Sequence, residues 1–208
     1  MPYLKMNTPD NEPVDCRILT AALDLFVERG FHNVSVHDVQ KRANVSIGSI
    51  YNHFGGKEGI AKALYNHLMK EFEEMIEEVI AEELNVRQRC NKIIRLLFEY
   101  TETRCNIISY MLHAKHREFL PDEPPICCST PFKAMRNIVQ QGMDAGEIRQ
   151  CEPWLAATTV FGGAIRMIHL RLDGVIEQPL TNYYDELIDC MWRGMLPTAE
   201  PNLKEQSG

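Results

Sequence analysis

The sequence has no run of eighteen apolar residues, and Met1 to Met6 hold no apolar core of the kind a secretory leader needs. Neither a membrane span nor a signal peptide is expected, and a cytoplasmic protein is. No segment alternates apolar and polar residues at period two for long enough to form a sheet. Catalytic signatures are missing too: there is no Gly-rich phosphate loop, no Gly-x-Ser-x-Gly elbow, no His-Glu-x-x-His, and no carboxylate pair set apart from a long acidic run. The expectation is therefore no enzyme and no cofactor. The seven cysteines (16, 90, 105, 127, 128, 151 and 190) are irregularly spaced and odd in number, which suits reduced thiols better than a disulfide framework. Positive charge does not prevail either, since the formal net charge is -7, which argues against nucleic acid as a partner.

The distribution of charge changes that reading. Residues 1–67 carry seven Lys or Arg and seven Asp or Glu, whereas the remainder carries 15 basic and 22 acidic residues. A neutral N-terminal part is free to present a locally basic face, while an acidic remainder is held away from DNA. With 208 residues, 45% of them hydrophobic, the chain can bury the core of one or two domains without staples.

Helical periodicity runs through the chain. Residues 1–13, with Pro2, Pro9 and Pro13, read as a flexible arm. Ile18, Ala22, Leu25 and Phe26 form one stripe of a helix that stops near Gly30. Ser35 with Asp38 is a capping box for a two-turn helix carrying Val36, Val39 and Ala43. Asn44 ends it in a left-handed turn, Val45 plugs that turn, and Ser46 caps a second short helix with Ile50 and Phe54 inside. After Gly55 and Gly56, Lys57 opens a helix of about 25 residues with Ile60, Leu64, Leu68, Phe72, Ile76 and Ile80 at i+4 steps. Its acidic run, Glu71 to Glu83, reads as a solvated face. Further helices are expected at 86–104, 106–119, 131–144, 153–173 and 181–195, giving an all-α protein of about nine helices.

Two short helices joined by a tight turn make a helix-turn-helix, whose second helix enters the major groove. With Val45, Ile50 and Phe54 inside, Ile47, Gly48, Ser49, Asn52 and His53 point outward and Tyr51 lies on the flank. These are small or hydrogen-bonding groups suited to reading base edges.

The run Ser35-Val36-His37-Asp38-Val39, then Ala43-Asn44-Val45-Ser46-Ile47-Gly48-Ser49-Ile50-Tyr51-Asn52-His53-Phe54 and Lys57-Glu58, resembles the DNA-binding domain of the TetR family of repressors. The likeness spans roughly residues 14–66, with two departures. Asn44 stands where the family usually has Gly, and Gly59-Ile60 replaces the usual Glu-Leu, which is expected to loosen the start of the long helix. The resemblance implies that Ser46, Gly48, Ser49, Tyr51, Asn52 and His53 lie at the groove, Tyr51 and His53 on phosphates, with Lys57 adding charge at a helix N-terminus. Ser35, His37 and Ile47 complete the candidate DNA-facing set, and Arg17, Lys41 and Arg42 are candidate supplements. It also implies a repressor released from a palindromic operator when a small, mostly apolar ligand shifts the population of DNA-competent dimers.

Domain boundaries follow: arm 1–13, DNA-binding domain 14–66, ligand-binding and dimerisation domain 67–196, tail 197–208. Trp154, Thr158, Phe161, Ile165, Ile168 and Leu172 on one helix, and Tyr184, Leu187, Ile188, Met191, Trp192 and Met195 on the next, form apolar stripes expected to pair across a two-fold axis. Such a homodimer presents two reading heads to one operator. Phe98, Thr101, Arg104, Cys105, Ile108, Met111, Leu112, His113, His116 and Phe119, with Met135, Phe161, Arg166 and Met167, have the mixture expected of an apolar ligand pocket. Two alternatives use the same region: His113 and His116 on one helix face with Cys105, as a metal or haem site, and the Cys127-Cys128 pair as a thiol or arsenical sensor. A third is a helix-turn-helix module that binds a protein instead of DNA.

Overall fold

The structure, a computed structural model, describes residues 13–197. Beyond Pro13 and Pro197, the expected arm and tail lie outside the described residues. Among the described residues there are nine α-helices, several short 3-10 turns and no strand.

The N-terminal unit is built by local chemistry. Helix α1 (Val14–Arg29) ends at Gly30, whose φ of 77° is open to a residue without a Cβ. Helix α2 (Val36–Ala43) starts on a complete capping box: the Ser35 side chain accepts from the Asp38 N–H, and the Asp38 carboxylate accepts from the Ser35 N–H at 2.8 Å. It stops at Asn44, which takes the left-handed conformation (φ 50°, ψ 54°). The Val45 N–H returns to the Gln40 carbonyl, and the Gln40 amide donates to the Val45 carbonyl at 2.8 Å, so the turn is tied from both sides. Helix α3 (Ile47–Phe54) is capped by Ser46, which accepts from the Ser49 N–H at 3.1 Å. Ile18, Leu25, Val39, Ile50, Ile60 and Leu64 lock α1, α2 and α3 onto the first turns of α4 (Lys57–Ala81).

The expected loosening at Gly59 is overturned. A Cβ at Gly59 would lie 1.7 Å from the Phe54 carbonyl oxygen, so the chain passes tightly there and only glycine fits. Ile80 also departs from the reading, being 37% exposed, while Val79 is buried in its place. Each i+4 step advances about 40° around a helix of 3.6 residues per turn, so a stripe drawn that way winds off the core.

The C-terminal unit comprises α5 (Val86–Thr103), α6 (Cys105–His113), α7 (Thr130–Asp144), α8 (Pro153–Leu172) and α9 (Tyr184–Met195), packed against the distal part of α4. One helix over 106–119 does not form. Helix α6 ends at His113, Ala114 is extended, and His116–Glu118 is a separate 3-10 turn. The break swings His116 inward, where its ring packs edge-on against Tyr65 and Tyr110 at 5.1 and 5.0 Å between centroids. Three long-range bonds fix α5 to the last two helices. Trp192 Nε1 donates to Asn91 Oδ1 at 2.7 Å, Tyr184 Oη donates to the Asn91 carbonyl at 3.0 Å, and Arg171 forms a two-point pair with Glu102.

Candidate functional site

Because α2 and the turn after it are satisfied from within, α3 is left with one buried face and one open face. Ile50 is fully buried, whereas Gly48, Tyr51, Asn52 and His53 are exposed and Ile47 and Ser49 half-exposed. Tyr51, at 56% exposure, is the one large aromatic side chain that α3 leaves open to solvent. Ser35, His37 and Ser46 stand exposed beside them. The Ser35 and Ser46 hydroxyls are already engaged in capping, Ser46 Oγ lying 2.8 Å from Ser49 Oγ. The open face therefore offers hydroxyls, an amide, an imidazole and two nearby helix N-termini, a set that hydrogen-bonds bases and phosphates.

The cations read from the sequence are placed differently from expectation. Arg17 donates to the carbonyls of Ala43 and Asn44, the end of α2, and so acts as its C-terminal cap. Arg42 is paired with Glu28 at 3.0 Å. The Lys57 ammonium folds back to the Phe31 carbonyl at 3.1 Å and lies 4.2 Å from the Phe31 ring centroid. In this arrangement it points at its own chain, not at a phosphate; Lys41 is exposed beside α3.

Behind the head lies a cleft of about 310 Å³ between α1 with the Phe31–Asn33 turn and α6 with the His116–Glu118 turn. Phe31 and Phe119 stack across it at 4.3 Å and 14°. His32 and Glu118 face each other at 3.7 Å. Desolvation of the His116 ring pushes its pKa down to about 4, and among the described residues neither its Nε2 nor the buried Tyr65 hydroxyl has a hydrogen-bond partner. Two further bonds cross the junction: Asn106 Nδ2 to Asp24 Oδ1 at 2.7 Å, and Tyr110 Oη to the Ala61 carbonyl at 3.2 Å.

The expected ligand residues do not form one pocket. His113 and Phe119 line the cleft just described. Arg104, Ile108 and Met111 line a narrow apolar groove of about 30 Å³ with Leu68, Phe72, Met75, Tyr100 and Ile107. Met135 and Phe161 line a third space of about 150 Å³ with Cys127, Phe132, Arg136 and Trp154. Phe98 and Thr101 are fully buried, the Thr101 hydroxyl donating to the Leu97 carbonyl; they are core. Cys105 and Arg166 are exposed, and Leu112 and Met167 half-buried, and none of the four lines these spaces. Tyr100 and Ile107 were missed, although Tyr100 stands at i, i+4 to Arg104 and Ile107 at i, i+4 to Met111, a signal the sequence contained.

The metal reading also fails on geometry. His113 lies 5.0 Å from the His169 ring and 3.6 Å from Asp173, His116 sits in the aromatic cage, and Cys105 faces outward. Among the described residues no group of three or more His, Cys, Asp or Glu is gathered for a metal. His169 itself spans the carbonyls of Ile165 and Leu112.

The two apolar stripes part company. Tyr184, Ile188, Met191, Trp192 and Met195, with Phe161 and Ile168, are buried within the protomer, so they are not available to a partner subunit. The reason is that α9 has a single apolar face, and α5 with α8 already covers it. Trp154 (48% exposed), Leu155 (55%) and Thr158 remain open on α8, with Ile165, Leu172 and Leu187 half-buried.

Among the described residues no helix is long and apolar enough to cross a membrane. Residues 18–64 match the family model described as bacterial regulatory proteins, tetR family, and residues 65–196 match a tetracyclin repressor-like C-terminal domain. Together the two matches take in both units of the fold. The fatty acid metabolism regulator protein of Bacillus subtilis is 27% identical over 161 residues, 72% of this chain and 79% of that protein. An HTH-type transcriptional repressor of Mycobacterium tuberculosis is 42% identical over 57 residues, 27% of this chain and 30% of its own. Among solved structures, the fatty acid degradation regulator FadR of Bacillus halodurans superposes with a TM-score of 0.77 at 19% identity, covering 91% of this chain and 98% of that one. The FadR of Bacillus subtilis in complex with stearoyl-CoA gives 0.71 at 22%, covering 84% and 96%.

Proposed function

We propose, since the chain belongs to the TetR family of bacterial regulatory proteins and is a DNA-binding transcriptional regulator, that it represses from a palindromic operator as a homodimer and is released by a long-chain acyl thioester. The observation that carries the DNA half is the exposed polar face of α3, with Tyr51, Asn52 and His53 standing on a fully buried Ile50. Gly48 and Ser49 let that helix sit close to base edges, while Tyr51, His53 and the α3 N-terminus take phosphates. Lys57 joins them once it leaves Phe31. Two copies pair through the open face of α8, centred on Trp154, Leu155 and Thr158, which leaves both heads on one side.

The acyl half rests on kinship and on chemistry. The relative that matches across most of the chain regulates fatty acid metabolism, and the similar fold from the same species holds stearoyl-CoA. In this chain the groove between α4, α5 and α6 is lined by Leu68, Phe72, Met75, Ile108 and Met111, with Arg104 and the His67-bound Glu71 on its wall. That is an alkyl-binding surface with a cation at hand for a polar head. At about 30 Å³ the groove is nearly shut, so an acyl chain has to part its walls. Helix α6 is one of those walls, and its other side carries Asn106 and Tyr110, the bonds to α1 and α4. A ligand that favours the parted state thereby shifts the heads.

The test is fluorescence anisotropy with labelled DNA from upstream of the gene, at several salt concentrations, with stearoyl-CoA, coenzyme A or stearate added. Saturable binding that weakens with salt, lost on addition of stearoyl-CoA but not of coenzyme A, is the expected result. Equal affinity for unrelated DNA rejects the operator reading. Specific binding that ignores stearoyl-CoA rejects only the ligand.

A further inference from the structure

The adjacent cysteines 127 and 128 take no part in the DNA and acyl binding just described, and Cys127 borders the Trp154 and Thr158 edge of the proposed pairing face. They sit in the 3-10 turn Ile126–Cys128, after Pro124 and Pro125. The Cys128 N–H donates to the Pro125 carbonyl at 2.7 Å, and the Ser129 hydroxyl to the Ile126 carbonyl at 2.7 Å. Arg136 on α7 donates to the Cys127 carbonyl at 2.6 Å and lays its guanidinium 4.1 Å from the Trp154 ring centroid. Cys127 is exposed and Cys128 half-buried, and the two are neighbours in one 3-10 turn. Cys127 also lines the third space, of about 150 Å³, whose other walls include Phe132, Met135, Trp154, Phe161 and Ile165.

We propose that Cys127 and Cys128 form a chelating dithiol site for an aryl-substituted trivalent arsenical, the sulfurs holding the arsenic and the apolar space beneath taking the aryl ring. Two neighbouring thiols suit a soft centre that forms two sulfur bonds. A cavity of about 150 Å³ with apolar walls is the size that accepts a benzene ring. The reaction is a condensation. Each Cys S–H bond breaks, two As–S bonds form, and the arsenoxide oxygen leaves as water with the two thiol protons. Arsenic stays trivalent, and no oxidant or reductant is consumed. Burial and the neighbouring thiol both raise the Cys127 pKa, which keeps it out of the thiolate form that peroxides attack and favours this route over oxidative sensing. Of the other cysteines, Cys16 and Cys90 are buried, and Cys105, Cys151 and Cys190 have no adjacent cysteine.

Reduced full-length protein titrated with phenylarsine oxide tests the site, read by intact mass and by tryptophan fluorescence. One adduct per chain, formed with loss of one water, is expected, with a fluorescence change that Trp154→Phe removes while the adduct persists. Dimercaptopropanol should strip the adduct; a monothiol at equal thiol concentration should not. Cys127→Ser and Cys128→Ser, the first exposed and the second half-buried, should each bind about 100-fold more weakly, because one arm of the chelate is gone. A methyl arsenical, lacking the ring, should bind at least about tenfold more weakly than the phenyl compound. Wild-type affinity in either serine variant overturns the dithiol, and equal affinity for methyl and phenyl compounds overturns the assigned pocket.

Discussion

The head and the body of this molecule are held together by opposite kinds of contact. In the head, most bonds that shape α2 and α3 join residues three to five apart, Ser35 with Asp38, Gln40 with Val45 and Ser46 with Ser49, while Arg17 reaches across from α1 to the end of α2. In the body, the bonds that decide which helix meets which join Asn91 to Trp192 and Glu102 to Arg171. Short-range chemistry pre-forms a surface, so the head can leave its important side chains in solvent. Long-range packing makes an interior, and the body's important spaces exist only where helices fail to close completely. A contact surface and a cavity are thus prepared by different physics in one chain of nine helices among the described residues.

The sharpest way to break this contrast is at Trp192. If it belongs to the body's interior, Trp192→Ala lowers unfolding stability by about 3–5 kcal/mol, measured by denaturant titration, and the sedimentation mass of the folded fraction is unchanged. A folded, stable monomer would instead return this side chain to the subunit interface. A smaller effect is expected at Tyr51, whose exposure makes it a contact and not a support. Tyr51→Ala should weaken operator binding by about 1–3 kcal/mol, roughly fivefold to 150-fold, and shift the melting temperature by no more than about 1 °C. A melting shift as large as the binding loss implies would make Tyr51 part of the scaffold.

The smallest effect lies at the joint, where neither description is complete. His116 is half-buried with its Nε2 out of solvent, and this desolvation pushes its pKa down to about 4 against 6.5 for the ordinary side chain. The unfolded chain therefore takes up this proton first as the pH falls, and folding loses stability across the window from about 6.5 down to about 4, with the full contribution present above it. His116→Phe should flatten that part of the stability profile while leaving neutral-pH stability close to wild type. An unchanged slope between pH 6.5 and 4 would show that the ring is charged in the folded protein.

Legibility in the sequence followed the same division. The capping box, the left-handed Asn44, the cap at Ser46 and the outward set on α3 were all readable because each depends on neighbours within one or two turns. So were the helix count and most helix ends. The break after His113 was not, because what bends the chain is Tyr65, more than 40 residues away, drawing His116 inward. The burial of Tyr184, Met191 and Trp192 was hidden for the same reason: periodicity shows that a helix has an apolar face but not whether α5 or another subunit covers it. Ligand residues suffered most. Phe98 and Ile108 carry equivalent signals in sequence, yet one is sealed in the core and the other lines a groove. The cations failed differently: Arg17, Arg42 and Lys57 are in the right region, but a carbonyl pair, Glu28 and Phe31 had first claim on them.

Helix α4 is unbroken from Lys57, beside α3, to Ala81, at the exposed far end of the C-terminal unit. Twenty-five residues make a rod of about 38 Å. Tilting such a lever by about 5° about its distal end carries the near end roughly 3 Å, close to the 3.4 Å rise of a single base step. In the proposed homodimer, two levers swinging in mirrored directions would double the error in the distance between half-sites. Fitting duplex DNA would then be lost through a displacement smaller than the width of a methyl-bearing side chain at the groove wall, with every base-reading residue still correctly folded.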